Sequence, residues 1–255
     1  MDHIKFEVDN FIASITLNRP EKLNSVTPAM SDALVKIIQD CNRRDDARVL
    51  VLTGAGEKAF CAGSDIAELD TYSSPWEFRN RPDYCDAIRG SRKPVVCAIN
   101  GYALGGGLET AMSCDIRIAA DHARLGSPEV KLGWIGGGGM AYMLAHSVGP
   151  SNAAMMLMGG DHVSAQQALQ WGLVSELHPV ANLLARAMEI AATIASRPPV
   201  AVETAKANLR AAYAMPLEMA IQYERDLQTV CFATEDAAEG RAAFKARRPA
   251  SFKGR

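Results

Sequence analysis

The stretch Asn100–Glu109 has the residue types and the spacing of a catalytic turn. It reads Asn-Gly-Tyr-Ala-Leu-Gly-Gly-Gly-Leu-Glu and follows Pro94–Ile99, a short apolar segment that predicts a buried strand. The spacing of the apolar residues after it predicts a helix that begins near Gly106. The first N–H groups of a helix have no intrahelical partner and carry partial positive charge, so the Gly106 N–H could hold an oxygen on which negative charge develops.

Glu109 stands three residues after Gly106, which is about one helical turn. Its carboxylate would therefore project beside the Gly106 N–H, and the two groups would place an oxyanion donor and an acid/base in one cavity. The alternative is that the glycines only permit close packing and that Glu109 is a first-turn carboxylate favoured by the helix dipole. The spacing alone leaves both interpretations open.

A second glycine turn precedes this one in the chain. Val49–Thr53 predicts a fully buried strand, and Gly63 and Ser64 then lead into a helical stretch at Ile66–Leu69, so the Ser64 N–H is another unpaired donor. Between them, Gly54–Ala59 superficially matches the dinucleotide fingerprint, but it does not open a helix directly, which argues against nucleotide binding. The two junctions could supply two converging donors.

Glu129 is a second candidate acid/base. It follows Pro128 in a segment with few other charges, where a carboxylate could be catalytic or could be a structural partner of an Arg or Lys side chain. Gly136–Gly139 then opens a helix over 140–146 and lacks the Gly-Lys-Ser/Thr ending of a P-loop.

The remaining pattern predicts parallel α/β units followed by helices, because strand, glycine turn and helix repeat three times within about a hundred residues. Ser164 and Ser196 are expected as helix N-caps, and Met155, Met156 and Met158 as core fillers. The predicted elements are a hairpin over 4–17 turning at Asp9-Asn10, helices at 28–42 after the N-cap Thr27, 83–90, 151–158, 164–171, 180–196, 198–213 and 216–245, strands at 115–120 and 173–177, and an irregular stretch at 70–82.

Composition excludes several classes of protein. The chain has 255 residues, of which 48% are hydrophobic and 22% charged, with a net charge of -2, so it has no basic excess for nucleic acid. Six scattered cysteines form no Cys-x-x-Cys pair and predict reduced thiols in a cytoplasmic protein. The histidines lack metal-ligand spacing, and no apolar run suits a signal core or a membrane span. The basic tail at 245–255 could meet a phosphate-bearing ligand or be a solvated end, and its charge slightly favours the second.

Taken together, these motifs resemble the enoyl-CoA hydratase/isomerase family, also called the crotonase family. The segments that carry the resemblance are Ala59–Asp65, Asn100–Glu109, Gly126–Glu129, Thr234–Asp236 and Glu239-Gly240. The resemblance implies a crotonase-like α/β spiral of strand-strand-helix units over 1–195, followed by a helical C-terminal trimerisation region over 196–255. It also implies a homotrimer, or a homohexamer built as a dimer of trimers.

The same resemblance implies the roles of the candidate residues. The backbone N–H groups of Ser64 and Gly106 would form an oxyanion hole for the thioester carbonyl of an acyl-CoA. Glu109 would activate water for attack at Cβ and Glu129 would deliver the proton to Cα, with the reverse assignment also possible. No cofactor is implied, because CoA is part of the substrate. The implied contacts to substrate or CoA are Lys22, Leu23, Ala62, Asp65 and Ile66.

One segment departs from the family pattern. Hydratases usually read Pro-Gly-x-Gly-Gly-Thr-Gln-Arg, whereas this chain reads Ile-Gly-Gly-Gly-Gly-Met-Ala-Tyr at 135–142. Trp76, Arg79 and Arg81 also indicate a pocket that differs from a simple straight-chain one. The first expectation is an enoyl-CoA hydratase. The alternatives are an isomerase or other acyl-CoA reaction of the family, and a member that binds CoA esters without turnover.

Overall fold

Parallel strands form the centre of the molecule, as the repeating pattern predicts. The computed structural model describes residues 3–69 and 71–255. The strands of these residues are β1 (Ile4–Asp9), β2 (Ile12–Leu17), β3 (Val49–Gly54), β4 (Ala59–Cys61), β5 (Val95–Ile99), β6 (Tyr102–Leu104), β7 (Ile116–Ala120), β8 (Arg124–Gly126), β9 (Val163–Ser164) and β10 (Glu176–His178).

The helices of the same residues fill the intervals between the strands and the whole C-terminal part. They are α1 (Pro28–Arg43), α2 (Ile66–Leu69), α3 (Pro75–Arg79), α4 (Tyr84–Gly90), α5 (Gly106–Ser113), α6 (Met140–Val148), α7 (Pro150–Gly159), α8 (Ala165–Gln170), α9 (Val180–Ala195), α10 (Pro199–Ala211), α11 (Leu217–Phe232) and α12 (Glu235–Ala246). Short 3₁₀ helices occupy Pro20–Lys22 and Pro128–Leu132. In the part of the chain that is described, no helix is long and apolar enough to cross a bilayer.

The larger sheet has the order β1-β2-β3-β5-β7-β10, and all its neighbours are parallel except the opening hairpin β1-β2. The hairpin turns through Asn10 and Phe11, which both have positive φ, as a two-residue turn matching the strand twist requires. Every residue of β3 and β5 is buried, because α9 packs across one face of the sheet and further elements cover the other. A smaller sheet, β4-β6-β8-β9, lies beyond the carboxyl ends of the central strands.

Local signals explain several of these elements. The Thr27 hydroxyl accepts a hydrogen bond from the Met30 N–H and Pro28 occupies the first helical position, so α1 begins where the sequence predicts. Ser164 caps α8 with a full capping box. The predicted α/β units are confirmed, but the four short strands of the smaller sheet, β4, β6, β8 and β9, are not anticipated by the sequence.

Four sequence expectations are wrong. The predicted helix over 216–245 is two helices, because Thr234 has extended backbone and caps α12 through the Ala237 N–H. Ser196 ends α9 instead of capping the next helix, which begins after Pro198. The last strand is 176–178, not 173–177. Of the three methionines on α7 only Met156 is buried, whereas Met155 and Met158 are 65% and 78% exposed.

The helical C-terminal region is present as α10 to α12. The buried Lys206 of α10 pairs with Asp115 at 2.7 Å and donates to the Lys93 carbonyl, so this region is tied to the sheet by buried polar contacts. The division of the chain at residue 196 stays a prediction.

Candidate active site

The two glycine turns lie side by side, as the sequence predicts. A Cβ added to Gly63 would lie 3.1 Å from the Gly106 nitrogen, and one added to Gly106 would lie 3.6 Å from the Ser64 nitrogen. Gly107 allows this approach, because its Cβ would fall 1.9 Å from the Cys61 carbonyl oxygen. The start of α5 is thereby pressed against β4, which carries the first turn.

Both candidate donors are free of protein acceptors in the described residues. Val26 pairs with the first turn through its N–H to the Gly63 carbonyl and its carbonyl to the Asp65 N–H, which bypasses the Ser64 N–H. Gly106 is the first residue of α5, and its neighbour Gly105 donates to the Gly126 carbonyl. Ser64 and Gly106, which come from separate turns, line the same cavity, so their N–H groups are candidates to hold one oxygen atom.

Glu109 is buried one turn along α5, and two backbone N–H groups hold its carboxylate. Its Oε1 accepts from the Gly138 N–H at 2.7 Å and from the Met140 N–H at 3.3 Å, at the start of α6. Burial raises the pKa of Glu109, the negative charge of Glu129 raises it further, and the Gly138 hydrogen bond opposes the rise. Such a group can take a proton closer to neutrality than an ordinary glutamate.

Glu129 is also buried and lies against the N-terminus of the same helix. Its Oε2 accepts from the Ser127 hydroxyl at 2.9 Å, and a Cβ on Gly105 would lie 2.8 Å from its Oε1. Gly105 has φ +57° and is the N-cap of α5. The carboxylate therefore sits beside the residue that precedes Gly106, and its partner is a hydroxyl and not the Arg or Lys of the structural alternative.

A small cavity opens in front of these groups. Its volume is about 50 Å³, enough for a few water molecules, and its lining includes Ser64, Gly106, Glu109 and Tyr84. Asp65, Tyr72 and Arg81 also line the cavity, and Asp65 pairs with Arg19 at 3.0 Å. Glu129 is not part of this lining and borders Gly105 instead.

The residues expected to contact CoA are only partly gathered. The Leu23 carbonyl accepts from the Ala62 N–H at 3.0 Å, so the 3₁₀ turn at Pro20–Lys22 lies next to the Ser64 turn. The Lys22 and Ile66 side chains are exposed. Of these five residues, Asp65 lines the cavity, and the contacts of the other four with CoA stay a prediction.

The basic side chains of the tail are exposed, as its charge slightly favoured, but the backbone of its last residues is hydrogen-bonded to α12. The buried Asp236 accepts from the Lys253 and Gly254 N–H groups, each at 2.7 Å. Arg248 pairs with Glu239 and, by this hydrogen bond, lowers the pKa of that carboxyl to about 2. The Thr234–Asp236 motif therefore fixes the backbone of Lys253 and Gly254 through the Asp236 carboxylate.

Two neighbours of the site are missed by sequence reasoning. The Tyr84 hydroxyl would lie 3.3 Å from a Cβ on Gly106, and Arg89 reaches the glycine segment beside Glu109. Both are on α4, a helix that the sequence predicts, but nothing in its spacing marks these side chains. The only feature of the sequence that could have indicated them is that Tyr84 and Arg89 place polar groups on the buried side of a short helix.

Residues 7–255 match the model of the enoyl-CoA hydratase/isomerase family. The chain belongs to this family. It is 40% identical over 251 residues to the mitochondrial enoyl-CoA hydratase of Pongo abelii, covering 96% of this chain and 84% of that protein. It is 39% identical to the (E)-benzylidenesuccinyl-CoA hydratase of Thauera aromatica, covering 98% and 99%.

Solved structures of family members share the fold. An enoyl-CoA hydratase from Bacillus anthracis superposes with a TM-score of 0.92 at 36% identity, covering 99% of this chain and 100% of that one. The chain therefore has the crotonase-like α/β fold that its motifs predict, with its helical C-terminal region.

Proposed function

We propose that this protein is an enoyl-CoA hydratase, which adds water reversibly across the double bond of a 2-enoyl-CoA to give a 3-hydroxyacyl-CoA. The observation that carries the proposal is the placement of two buried carboxylates, Glu109 and Glu129, around the helix start that presents the Gly106 N–H. Hydration needs one group to activate water and one to supply a proton, and both are present.

The oxyanion hole is assigned to the Ser64 and Gly106 N–H groups. They hold the thioester oxygen, which becomes enolate-like when a nucleophile adds at Cβ. Each such donor contributes roughly 3 to 4 kcal/mol in a site that excludes water. Their fixed backbone positions support this role, because no side chain has to be ordered when charge develops.

The two glutamates are assigned complementary roles. Glu109, whose pKa is raised by burial, accepts a proton from the water that attacks Cβ. Glu129 donates a proton to Cα, and the hydroxyl of Ser127 stabilises the carboxylate that remains. The sum of the two steps is one water added once Glu109 has released its proton to solvent and Glu129 has taken one up, which restores both groups for the next turnover. The reverse assignment of acid and base uses the same geometry.

CoA is proposed to enter past Lys22, Leu23, Ala62, Asp65 and Ile66. No further cofactor takes part, because each proton is moved by one of the glutamates. The basic tail of a neighbouring copy could reach the CoA phosphates. The cysteines of the chain are free and all but Cys231 are buried, which supports the proposal of a cytoplasmic location.

We also propose that the chain assembles as a homotrimer or as a dimer of trimers. Large apolar side chains lie exposed on α7 and the C-terminal helices, among them Met158, Leu217, Phe232 and Phe244. Light scattering during size-exclusion chromatography is expected to give three or six times the mass of one chain. A monomer mass would contradict this assembly.

The hydratase proposal is tested by the loss of enoyl-thioester absorbance. Wild type is compared with Glu109→Gln and Glu129→Gln on crotonyl-CoA and on longer, aromatic and carboxylated enoyl-CoAs, with the exposed Glu7→Gln as matched control. Wild type and control should hydrate some member of the panel, and each active-site variant should lose about 10² to 10⁴ in kcat. Binding of CoA esters without hydration would overturn the proposal and direct attention to isomerisation.

A further inference from the structure

The segment that holds Glu109 has almost no anchors of its own. Ile135 is largely exposed and Gly136–Gly139 has no side chains, so no side chain of this segment anchors its backbone in the core. Within the described residues, two hydrogen bonds join 135–138 to the rest of the chain: the Gly138 N–H to Glu109, and Arg89 to the Gly138 carbonyl. Glycine has the widest choice of backbone conformations, so such a segment has much entropy to lose when it is held in place.

Arg89 binds this segment and the helix of Glu109 at the same time. Its Nη1 donates to the Gly138 carbonyl and, at 3.1 Å, to the hydroxyl of Ser113. The Ser113 hydroxyl in turn donates to the Glu109 carbonyl at 2.7 Å. The contacts form a closed ring, which runs from the Glu109 backbone through Ser113, Arg89 and Gly138 back to the Glu109 carboxylate.

We propose that Arg89 is a positioning residue for Glu109, acting through the Gly138 peptide that orients this carboxylate. The proposal rests on the proposed hydratase function and adds to it a side chain that touches no reacting atom. A guanidinium suits the task, because its rigid set of donors can fix two acceptors on different elements at once. Its other partner, Asp86, is exposed, so we expect the loss of this ion pair to leave the arrangement unchanged.

The experiment compares Arg89→Met with the matched control Asp86→Asn. Loss of the guanidinium should free the glycine segment and lower kcat by about tenfold to a hundredfold, the effect of a slightly misplaced catalytic group. The KM should change by less than about threefold, because the N–H donors and the CoA contacts remain. Asp86→Asn should stay within about twofold of wild type in both constants.

The pH profile and chemical rescue separate positioning from a general structural role. The Gly138 hydrogen bond lowers the pKa of Glu109, so its loss should move the acid limb of kcat to higher pH. The other charged groups that act on Glu109 are Glu129 and Asp83, and Arg89→Met retains both. Added methylguanidinium should restore part of the activity of Arg89→Met and none of that of Glu109→Gln.

Hydrogen exchange tests the same contact without any turnover. A peptide covering 133–143 should exchange faster in Arg89→Met than in wild type and Asp86→Asn, while the strands keep their protection. Unchanged exchange and kcat, or a lower kcat with no movement of the acid limb and no rescue, would overturn the positioning role. An inactive wild type with exchange accelerated as expected would instead reject the hydratase function and retain the anchoring by Arg89.

Discussion

Glu109 and Glu129 are two buried carboxylates beside one helix start, yet different parts of the chain support them. Glu109 is held by backbone N–H groups of a glycine segment that depends on Arg89, whereas Glu129 is held by the hydroxyl of Ser127, two residues away on a 3₁₀ turn. One support is long-range and has few anchors, and the other is local. We therefore expect Glu109 to be sensitive to changes far along the chain, and Glu129 to changes in its own turn.

The double variant Glu109→Gln/Glu129→Gln tests whether the two carboxylates, although supported differently, act together in one reaction. Each single variant should lose about 10² to 10⁴ in kcat, because it removes one proton transfer. If both carboxylates act on one bound water and substrate, their effects should not multiply. The kcat of the double variant should then be no more than about tenfold below that of the less active single variant. Fully multiplicative losses in stopped-flow hydration rates would mean that the two groups act independently.

The glycine segment offers a sharper test of the support of Glu109. A Cβ at Gly138 would lie 2.9 Å from Glu109 Oε2, whereas at Gly137 nothing lies within 4 Å. Gly138→Ala should therefore displace the carboxylate and lower kcat by roughly tenfold or more, while Gly137→Ala should stay close to wild type. Equal losses in the two variants would show that the segment tolerates no side chain anywhere, and not that Gly138 serves Glu109.

Sequence reasoning reaches the parts of this site that spacing controls. Gly106 and Glu109 lie one helical turn apart, so their shared cavity is predictable, and Ser64 follows the same rule at the other turn. Arg89 is beyond that reasoning, because it meets Gly138 only after α4 and α6 are packed on either side of α5. Its role depends on tertiary contacts that no periodicity encodes.

Two errors arise from signals that the sequence did contain. Met155, Met156 and Met158 cannot all share one face of a helix, because neighbours on a face are three or four residues apart. Thr234 is followed by Glu235 and Asp236, an N-cap before first-turn carboxylates, which marks the start of α12. In both cases the local geometry outweighs the apolar or helical pattern.

The local support of Glu129 should have a smaller effect than that of Glu109. Ser127→Ala removes the one hydroxyl that donates to Glu129 Oε2, and such a bond contributes about 1 kcal/mol net, or roughly fivefold in kcat. The acid limb assigned to Glu109 should not move, since no element of its support is touched. A loss as large as that of Glu129→Gln in steady-state assays would instead make Ser127 a direct participant.

The smallest effect is expected in stability, and it has the opposite sign. Burial raises the pKa of Glu109, so the folded protein holds this proton more tightly than the unfolded chain does, where the pKa is about 4.3. The contribution of this group to the free energy of unfolding is therefore favourable at low pH and falls as the pH rises through the interval between the two values. Above that interval the buried carboxylate is ionised at a cost, which Glu109→Gln removes while its amide oxygen can still accept from Gly138.

Glu109→Gln should consequently melt at a higher temperature than wild type at neutral pH, by about 2 to 4 °C for each kcal/mol gained. The difference should shrink towards pH 4, where wild type also carries a proton at this site. Scanning calorimetry at several pH values and equal protein concentration measures it, with Glu7→Gln as the exposed control. A Glu109→Gln variant that is less stable than wild type at neutral pH would contradict this prediction. It would mean that the hydrogen bonds from the Gly138 and Met140 N–H groups stabilise the ionised carboxylate by more than its burial costs.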